Sequence, residues 1–366
     1  MTGKGHHGAR VGSPDSDTDT LASRPAPDAD GVEATAIGVD VGASRLKLAL
    51  VDRRGTVLSS TVLPTPRIGS GPEIVDEIAA AVVAFKATTA ALQAAPQGIG
   101  IVVPHHIEGP QWVQRWANNM PALDGLALRP LLVERLGGEL AMANDVSAAI
   151  MAEHLFGRGR GLDRLLLMGI GTGISMSVIA DGELLQYTWG TAGDSGMIIV
   201  DTAGLLECSC GARGCLETVA SGTAIRDEAI RAVRRGERTL LAALLEREGG
   251  ISAADVADAA RQDDAVALRT FDRAAFFLGA ALASYVNLFR PRLIVLAGGV
   301  TDSSDLLLDR VRESLHRIGS PSRLSSLEGV VLSAFPHMGA AIGSASLILF
   351  PGRYLHDPLS GEGPVI

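Results

Sequence analysis

Apolar residues run unbroken from Ala36 to Val41 and stop at Gly42. A second stretch, Leu46–Asp52, alternates Leu46, Leu48 and Leu50 with Lys47, Ala49 and Val51. Arg53-Arg54-Gly55 has turn composition and Thr56–Val62 is again β-prone, so the pattern predicts a meander of three antiparallel strands. Ile74, Ile78, Val82 and Phe85 recur at helical spacing and predict a helix over Pro72–Ala91. Next come an apolar strand over Gly98–Val103 closed by Pro104, a helix over Leu126–Leu136, a short strand over Glu139–Ala143 and, directly after it, a helix over Asp145–Phe156.

The plan then repeats. Arg164–Met168 predicts a strand that runs into Gly169-Ile170-Gly171-Thr172-Gly173, and Ser175–Ala180 predicts the next, with Asp181-Gly182 as a hairpin turn. Helical spacing covers Thr223–Arg234, Thr239–Glu246, Ala253–Ala260 and the long segment Ala265–Phe289. Arg292–Leu296 predicts a strand ending at Ala297-Gly298-Gly299, Gly329–Ser333 another, and Ala340–Leu349 a last helix. Two hairpins that each open a mixed sheet point to an internal duplication. Its glycine-rich turns are expected to face one cleft, as in phosphate-handling α/β proteins.

Residues 1–33 have almost no large apolar side chains, so the segment cannot bury enough surface to offset its ordering entropy and is read as a disordered tail. His6 and His7 in that tail are read as solvated. The expected organisation is a tail over 1–33, a smaller domain over 34–150 plus 340–350, a larger domain over 151–339, and a C-terminal tail over 351–366. The formal net charge of −9 argues against a sequence-independent grip on nucleic acid, which needs a basic surface. No apolar run is long enough to span a bilayer and no signal peptide is recognisable, so the expected location is the cytoplasm. The three cysteines all fall within Cys208–Cys215, a poor disulfide framework and a better metal or thiol cluster.

Five motifs carry candidate chemistry. Asp40-Val41-Gly42-Ala43-Ser44-Arg45 sets an acidic residue at a strand end before a small-residue turn. That arrangement suits Mg²⁺ and phosphate, and an ordinary hairpin with an exposed Asp has the same pattern. Gly171-Thr172-Gly173 can bring amides against a polyphosphate or be a plain hairpin. Asn144-Asp145 sits at a strand-to-helix junction, where an Asp either caps the helix or accepts a hydroxyl proton during transfer. Cys208-Ser209-Cys210-Gly211-Ala212-Arg213-Gly214-Cys215 offers three thiolates, a partial zinc site or three reduced cysteines in a tight loop. Gly298-Gly299 after a buried strand lets a planar ring or ribose approach the backbone, and is also a common loop.

In this order along one chain, together with Ala192-Gly193-Asp194-Ser195-Gly196-Met197, Glu217 and Ser221-Gly222, the motifs resemble the ROK family of sugar kinases and sugar sensors across roughly residues 36–347. The resemblance implies the two-domain ATPase fold of hexokinases, actin and Hsp70, an α/β architecture of duplicated ribonuclease H-like domains around an interdomain cleft. It implies transfer of the γ-phosphoryl of MgATP to a sugar hydroxyl, commonly by a homo-oligomer such as a dimer. Carried over by motif, Asp145 is the catalytic base. Asn144, Asp194 and Glu217 bind the sugar. Asp40, Gly42, Ser44, Gly171, Thr172 and Gly173 hold phosphates and metal, and Gly298 and Gly299 lie near the adenosine. Family repressors carry a winged helix-turn-helix ahead of this body, and the residues before Ala36 show no helical periodicity.

Several positions depart from the family pattern. The first phosphate loop usually reads Asp-x-Gly-Gly-Thr-Lys, and Ala43 adds a Cβ where a positive φ is a possible requirement. The usual Glu-x-Gly-His, whose Glu and His contact the sugar and whose His also completes the zinc site, is here Asp194-Ser195-Gly196-Met197. Met197 cannot donate a hydrogen bond and is a poor Zn²⁺ ligand. The usual Pro-Gly after the fourth strand is Pro104-His105. Two functions therefore stand open on the sequence: an ATP-dependent sugar kinase, and a ROK protein that binds sugar without catalysis.

Overall fold

Seven consecutive buried residues, Thr35–Val41, form β1 in the computed structural model, which describes residues 34–354 except 90–94, 104–105, 109–111, 116–119, 188–189, 192–193 and 205. β2 (Arg45–Asp52) and β3 (Val57–Pro64) complete the expected antiparallel meander, with Asp40 opposite Lys47 in the β1–β2 ladder. Helix α1 (Gly71–Thr89) buries Ile74, Ile78, Val82 and Phe85, the four residues that give its spacing. β4 (Pro96–Val103) runs parallel to β1. A small hairpin, β5 (His106–Glu108) and β6 (Val113–Arg115), escapes sequence reading because its strands are three residues each. α2 (Leu128–Leu136), β7 (Leu140–Asn144) and α3 (Asp145–Leu155) follow, and β7 lies parallel to β4. The sheet order is β3-β2-β1-β4-β7.

The second sheet repeats this plan. β8 (Leu165–Ile170) and β9 (Ile174–Ala180) are antiparallel, and Asp181 and Gly182, both at positive φ, turn the chain into β10 (Glu183–Leu184). β11 (Gln186–Tyr187) and β12 (Gly190–Thr191) form a separate two-stranded ribbon. Helices α4 (Glu217–Ala220), α5 (Gly222–Arg234), α6 (Leu241–Glu248), α7 (Ala253–Ala260) and α8 (Ala265–Phe289) come next. β13 (Leu293–Ala297) lies parallel to β8, and β14 (Gly329–Leu332) parallel to β13. The order β10-β9-β8-β13-β14 matches the first sheet strand for strand, three antiparallel and then two parallel.

Between these last strands the sequence reading has no element, yet α9 (Ser304–Ile318) fills most of the gap and α10 (Pro321–Leu324) adds one turn. α9 buries Leu306, Leu307, Val311 and Leu315, a helical spacing, against α8. The last helix, α11 (Gly339–Leu349), packs on β1, β4 and α3. The approach is close enough that a Cβ at Gly38 would fall 1.8 Å from the Ala341 carbonyl oxygen, and one at Gly100 1.8 Å from that of Ser344. The expected tail over 1–33, with His6 and His7, residues 355–366 of the C-terminal tail, Ala90-Ala91 of the first expected helix, Pro104-His105 and Ala192-Gly193 lie outside the described residues.

Candidate active site

At the end of β7 the chain turns straight into α3, and the junction settles which residue caps the helix. Asn144 is the N-cap: its Oδ1 accepts the Val146 N–H at 3.0 Å. Asp145 is the first helical residue, and its Oδ1 also accepts from Val146 N–H, at 2.7 Å. The capping role open to Asp145 on sequence thus belongs to its neighbour. The Asp145 carboxyl is sunk among protein atoms while keeping a partly open face. Its pKa is pushed up to about 7, first by burial and then by the charge of Asp40; the Val146 N–H and the charge of Lys47 oppose the shift.

Asp40 is buried near the end of β1, and Lys47 Nζ donates to its Oδ2 at 2.8 Å. Sequence reading does not place Lys47 in the site, because only the strand register sets it against Asp40. The turn between them is tight. Gly42 N–H donates to the Arg45 carbonyl at 3.1 Å, and Thr65 Oγ1 donates to the Gly42 carbonyl at 2.6 Å. Ala43 does not occupy positive φ, so its Cβ brings none of the strain its departure from the family pattern raised. Ser44 is exposed at the lip of the turn.

The second group forms where β8 turns into β9. Gly171 N–H donates to the Gly173 carbonyl at 2.9 Å, and Thr172 is exposed at the tip. Glu217, the first residue of α4, reaches into this turn: its Oε2 accepts the Ile174 N–H at 2.9 Å. A Cβ at Gly173 would lie 2.4 Å from that oxygen. Burial raises the pKa of Glu217, the Ile174 N–H opposes the shift, and the charge of Asp194 adds to it. Asp194 is exposed and opens the single turn Ser195–Met197, whose Met197 N–H donates to the Asp194 carbonyl at 2.9 Å. Tyr285 of α8 holds this turn from below, its hydroxyl donating to the Ser195 carbonyl at 2.7 Å. β12, which leads towards Asp194, lies against β7, which ends at Asn144.

The third group adjoins the second. Gly298 follows β13 at φ 94°, where a Cβ would come within 2.5 Å of the Ile170 carbonyl oxygen at the end of β8. Gly299 has open space on its Cβ side. Gly222 N–H donates to the Gly171 carbonyl at 2.7 Å, which sets the N-terminus of α5 against the turn. The Ser221 hydroxyl caps α5 by accepting the Ala224 N–H at 3.1 Å. A helix N-terminus beside glycine turns is a suitable surface for phosphate oxygens.

The Sγ atoms of Cys208, Cys210 and Cys215 all lie within 4.8 Å of one another, and those of Cys210 and Cys215 are 3.7 Å apart. Tetrahedral Zn²⁺ with Zn–S of about 2.3 Å requires sulfurs roughly 3.8 Å apart, a spacing the Cys210–Cys215 pair has. Gly211 and Gly214, both at positive φ, fold the knuckle. Ile199 pairs with Cys215 and Leu216 N–H donates to the Ile198 carbonyl at 2.9 Å, which sets Met197 beside this segment with its side chain partly exposed.

The ROK family model matches residues 36–350. A glucokinase from Thermotoga maritima is 31% identical over 316 residues, spanning 85% of this chain and 96% of its own. Among solved structures, a ROK family glucokinase from Streptomyces griseus in complex with glucose and AMPPNP superposes with a TM-score of 0.73 at 31% identity, covering 86% of this chain and 99% of that one. A ROK family transcriptional regulator, a homologue of the E. coli MLC protein, superposes with a TM-score of 0.74 at 30% identity, covering 86% of this chain and 78% of its own.

Proposed function

Because the chain belongs to the ROK family, we propose that it transfers the γ-phosphoryl group of ATP to a hydroxyl of a hexose or related sugar, with Asp145 as general base. The supporting observation is the placement of Asp145. It is a carboxyl poised near neutrality at a helix start, facing the Asp40–Lys47 pair, in a chain whose glycine turns gather at the ends of β8 and β13. A base is most effective when its pKa lies near the working pH. As the sugar oxygen bonds to the γ-phosphorus and the bond to ADP breaks, the hydroxyl proton passes to the Asp145 carboxylate.

The other residues serve positioning. Glu217 keeps Oε1 for a sugar hydroxyl while Oε2 stays on Ile174 N–H, and Asn144 and Asp194 flank the same substrate. The amides of Thr172 and Gly173 and the N-terminus of α5 receive phosphate oxygens, with Gly171 closing the turn, and Gly298 and Gly299 border the adenosine. Asp40 and Ser44 are the residues fitted to hold Mg²⁺, which when bound neutralises charge on the phosphates. Cys208, Cys210 and Cys215 are the residues fitted to hold zinc, with Met197 outside the ligand set. The two lobes of the cleft are residues 34–150 plus 340–350 and residues 151–339, and the working assembly is a homodimer. No described helix is long and apolar enough to cross a membrane.

The glucokinase relatives and the glucose-bound neighbour favour the kinase, and the regulator among the neighbours keeps a catalytically weakened sugar-binding or regulatory role as the second reading. The observation in its favour is Met197, which removes a sugar contact and a zinc ligand together. An ADP-coupled assay across a hexose panel decides between them, with Asp145→Asn as control. Sugar-dependent turnover that the substitution abolishes supports the kinase; absence of turnover with every sugar, alongside retained sugar binding, supports the second reading.

A further inference from the structure

Glu153 stands eight residues after Asp145 on the same helix, about 12 Å along it at 1.5 Å per residue, and it is fully buried. A buried carboxylate needs hydrogen-bond donors, and these come from the two stretches of chain that join the sheets. Oε2 accepts the Arg158 N–H at 2.8 Å, in the segment leading from α3 to β8. Oε1 accepts the Ser333 hydroxyl at 2.6 Å and the Ala334 N–H at 2.7 Å, in the segment leading from β14 to α11. The Ser333 hydroxyl oxygen in turn accepts the Phe335 N–H at 3.0 Å. The Glu153 carbonyl accepts the N–H groups of Gly157 and Gly159, both at 3.0 Å, and a Cβ at Gly157 would lie 2.3 Å from Oε2.

The element order takes the chain between the two sheets at these two segments. One carboxylate therefore holds both crossings. Its helix begins with Asp145, and the strand entered through the first crossing, β8, ends in the Gly171–Gly173 turn.

We propose that Glu153 is a positioning residue for phosphoryl transfer: by tying both crossings together it fixes α3, and so Asp145, relative to the sheet that carries the phosphate turn. The inference rests on the kinase reading. Transfer depends on placing acceptor and donor in line, and a displacement of about 1 Å caused far from the chemistry lowers rates about 100-fold. A carboxylate that merely stabilised the fold would leave the rate per folded molecule unchanged.

Glu153→Gln keeps the size of the side chain, but its amide nitrogen cannot accept, so either the Arg158 N–H or the Ala334 N–H loses its acceptor and one crossing is weakened whichever way the amide turns. Ser333→Ala removes the hydroxyl's bond to Oε1 and the Phe335 N–H bond to that hydroxyl, and leaves the Ala334 N–H on Oε1. The expected result is a kcat per folded molecule about 10- to 100-fold lower in Glu153→Gln and about threefold lower in Ser333→Ala. KM for sugar and ATP should stay within about twofold, and the double variant should be no slower than Glu153→Gln, because both changes strike one tie. Thermal melts fix the folded fraction. A Glu153→Gln kcat within about twofold of the wild type overturns the proposal whatever its Tm; should that variant not fold, an unchanged kcat in Ser333→Ala does so. A wild-type protein inactive on every sugar marks failure of the kinase reading instead. In that case small-angle scattering decides: a larger radius of gyration in either variant supports the tie, and an unchanged one overturns it.

Discussion

The charge of Asp40 acts on the carboxyl of Asp145 across the intervening strand β4, and with burial it holds Asp145 protonated up to about pH 7. Lys47 pairs with Asp40 at 2.8 Å and draws the other way. A base so placed is half-loaded near neutral pH. The acid limb of the kcat/KM profile, which reports the free enzyme, should have its midpoint about 7 and fall about tenfold per pH unit below it. Lys47→Met removes the opposing charge and should move that midpoint upward. A profile flat from pH 5.5 to 8 would remove Asp145 from the role of base.

The same shift has a consequence for stability. A carboxyl whose folded pKa lies above its unfolded value of 3.8 favours the folded state most below that value, and the benefit is lost as pH rises through about 7. Asp145→Asn keeps an oxygen for the Val146 N–H and carries no charge. The variant should therefore match the wild type near pH 4 and exceed it at pH 8 by about 1–3 kcal/mol, a figure reduced for the partly open face of the carboxyl. Denaturant titrations at the two pH values test this; a variant less stable than the wild type at pH 8 contradicts the electrostatic account.

Met197 stands beside the cysteine knuckle, one residue before the Ile198–Leu216 backbone bond. A histidine there offers an imidazole to three thiols that gather within 4.8 Å of one another. Met197→His should retain zinc against a chelator at least about tenfold better than the wild type, and lower KM for the sugar by about one decade through a restored hydrogen bond. Equal zinc retention in both proteins would show that position 197 does not complete the site.

Much of this was legible in the sequence because apolar runs and helical spacing report burial directly. The three-strand meander, α7 and α8 fall where the pattern puts them. α9 is as amphipathic as α5, and its buried Leu306, Leu307, Val311 and Leu315 keep a helical spacing that the sequence does carry. β5, β6, β11 and β12 have two or three residues each, too few for a period to show. The motifs point to the candidate residues that lie in runs. Lys47 and Glu153 were not legible, because each matters only through a partner fixed by tertiary structure: Asp40 by strand register, Ser333 and Ala334 by the return of the chain 180 residues later. Asn144 and Asp145 are adjacent, and which of them is the N-cap needed the helix boundary and the hydrogen bonds themselves.

Gly171 and Gly173, two residues apart in one turn, should respond oppositely to the same substitution. Neither has positive φ, so alanine is compatible with the backbone at both. At Gly171 an added Cβ meets nothing within 4 Å, so Gly171→Ala should fold with an unchanged Tm. Its methyl group then stands in the space assigned to the phosphates, and KM for ATP should rise about tenfold or more while KM for the sugar stays put. At Gly173 the Cβ would come within 2.4 Å of Glu217 Oε2, so that carboxylate must leave the Ile174 N–H. Loss of that bond removes about 1–3 kcal/mol of charge-assisted pairing, so Gly173→Ala should lower Tm and raise KM for the sugar more than for ATP. Steady-state kinetics on both variants with one melt each read the pattern. If Gly173→Ala raises only KM for ATP, Glu217 is not the link between the phosphate turn and the sugar.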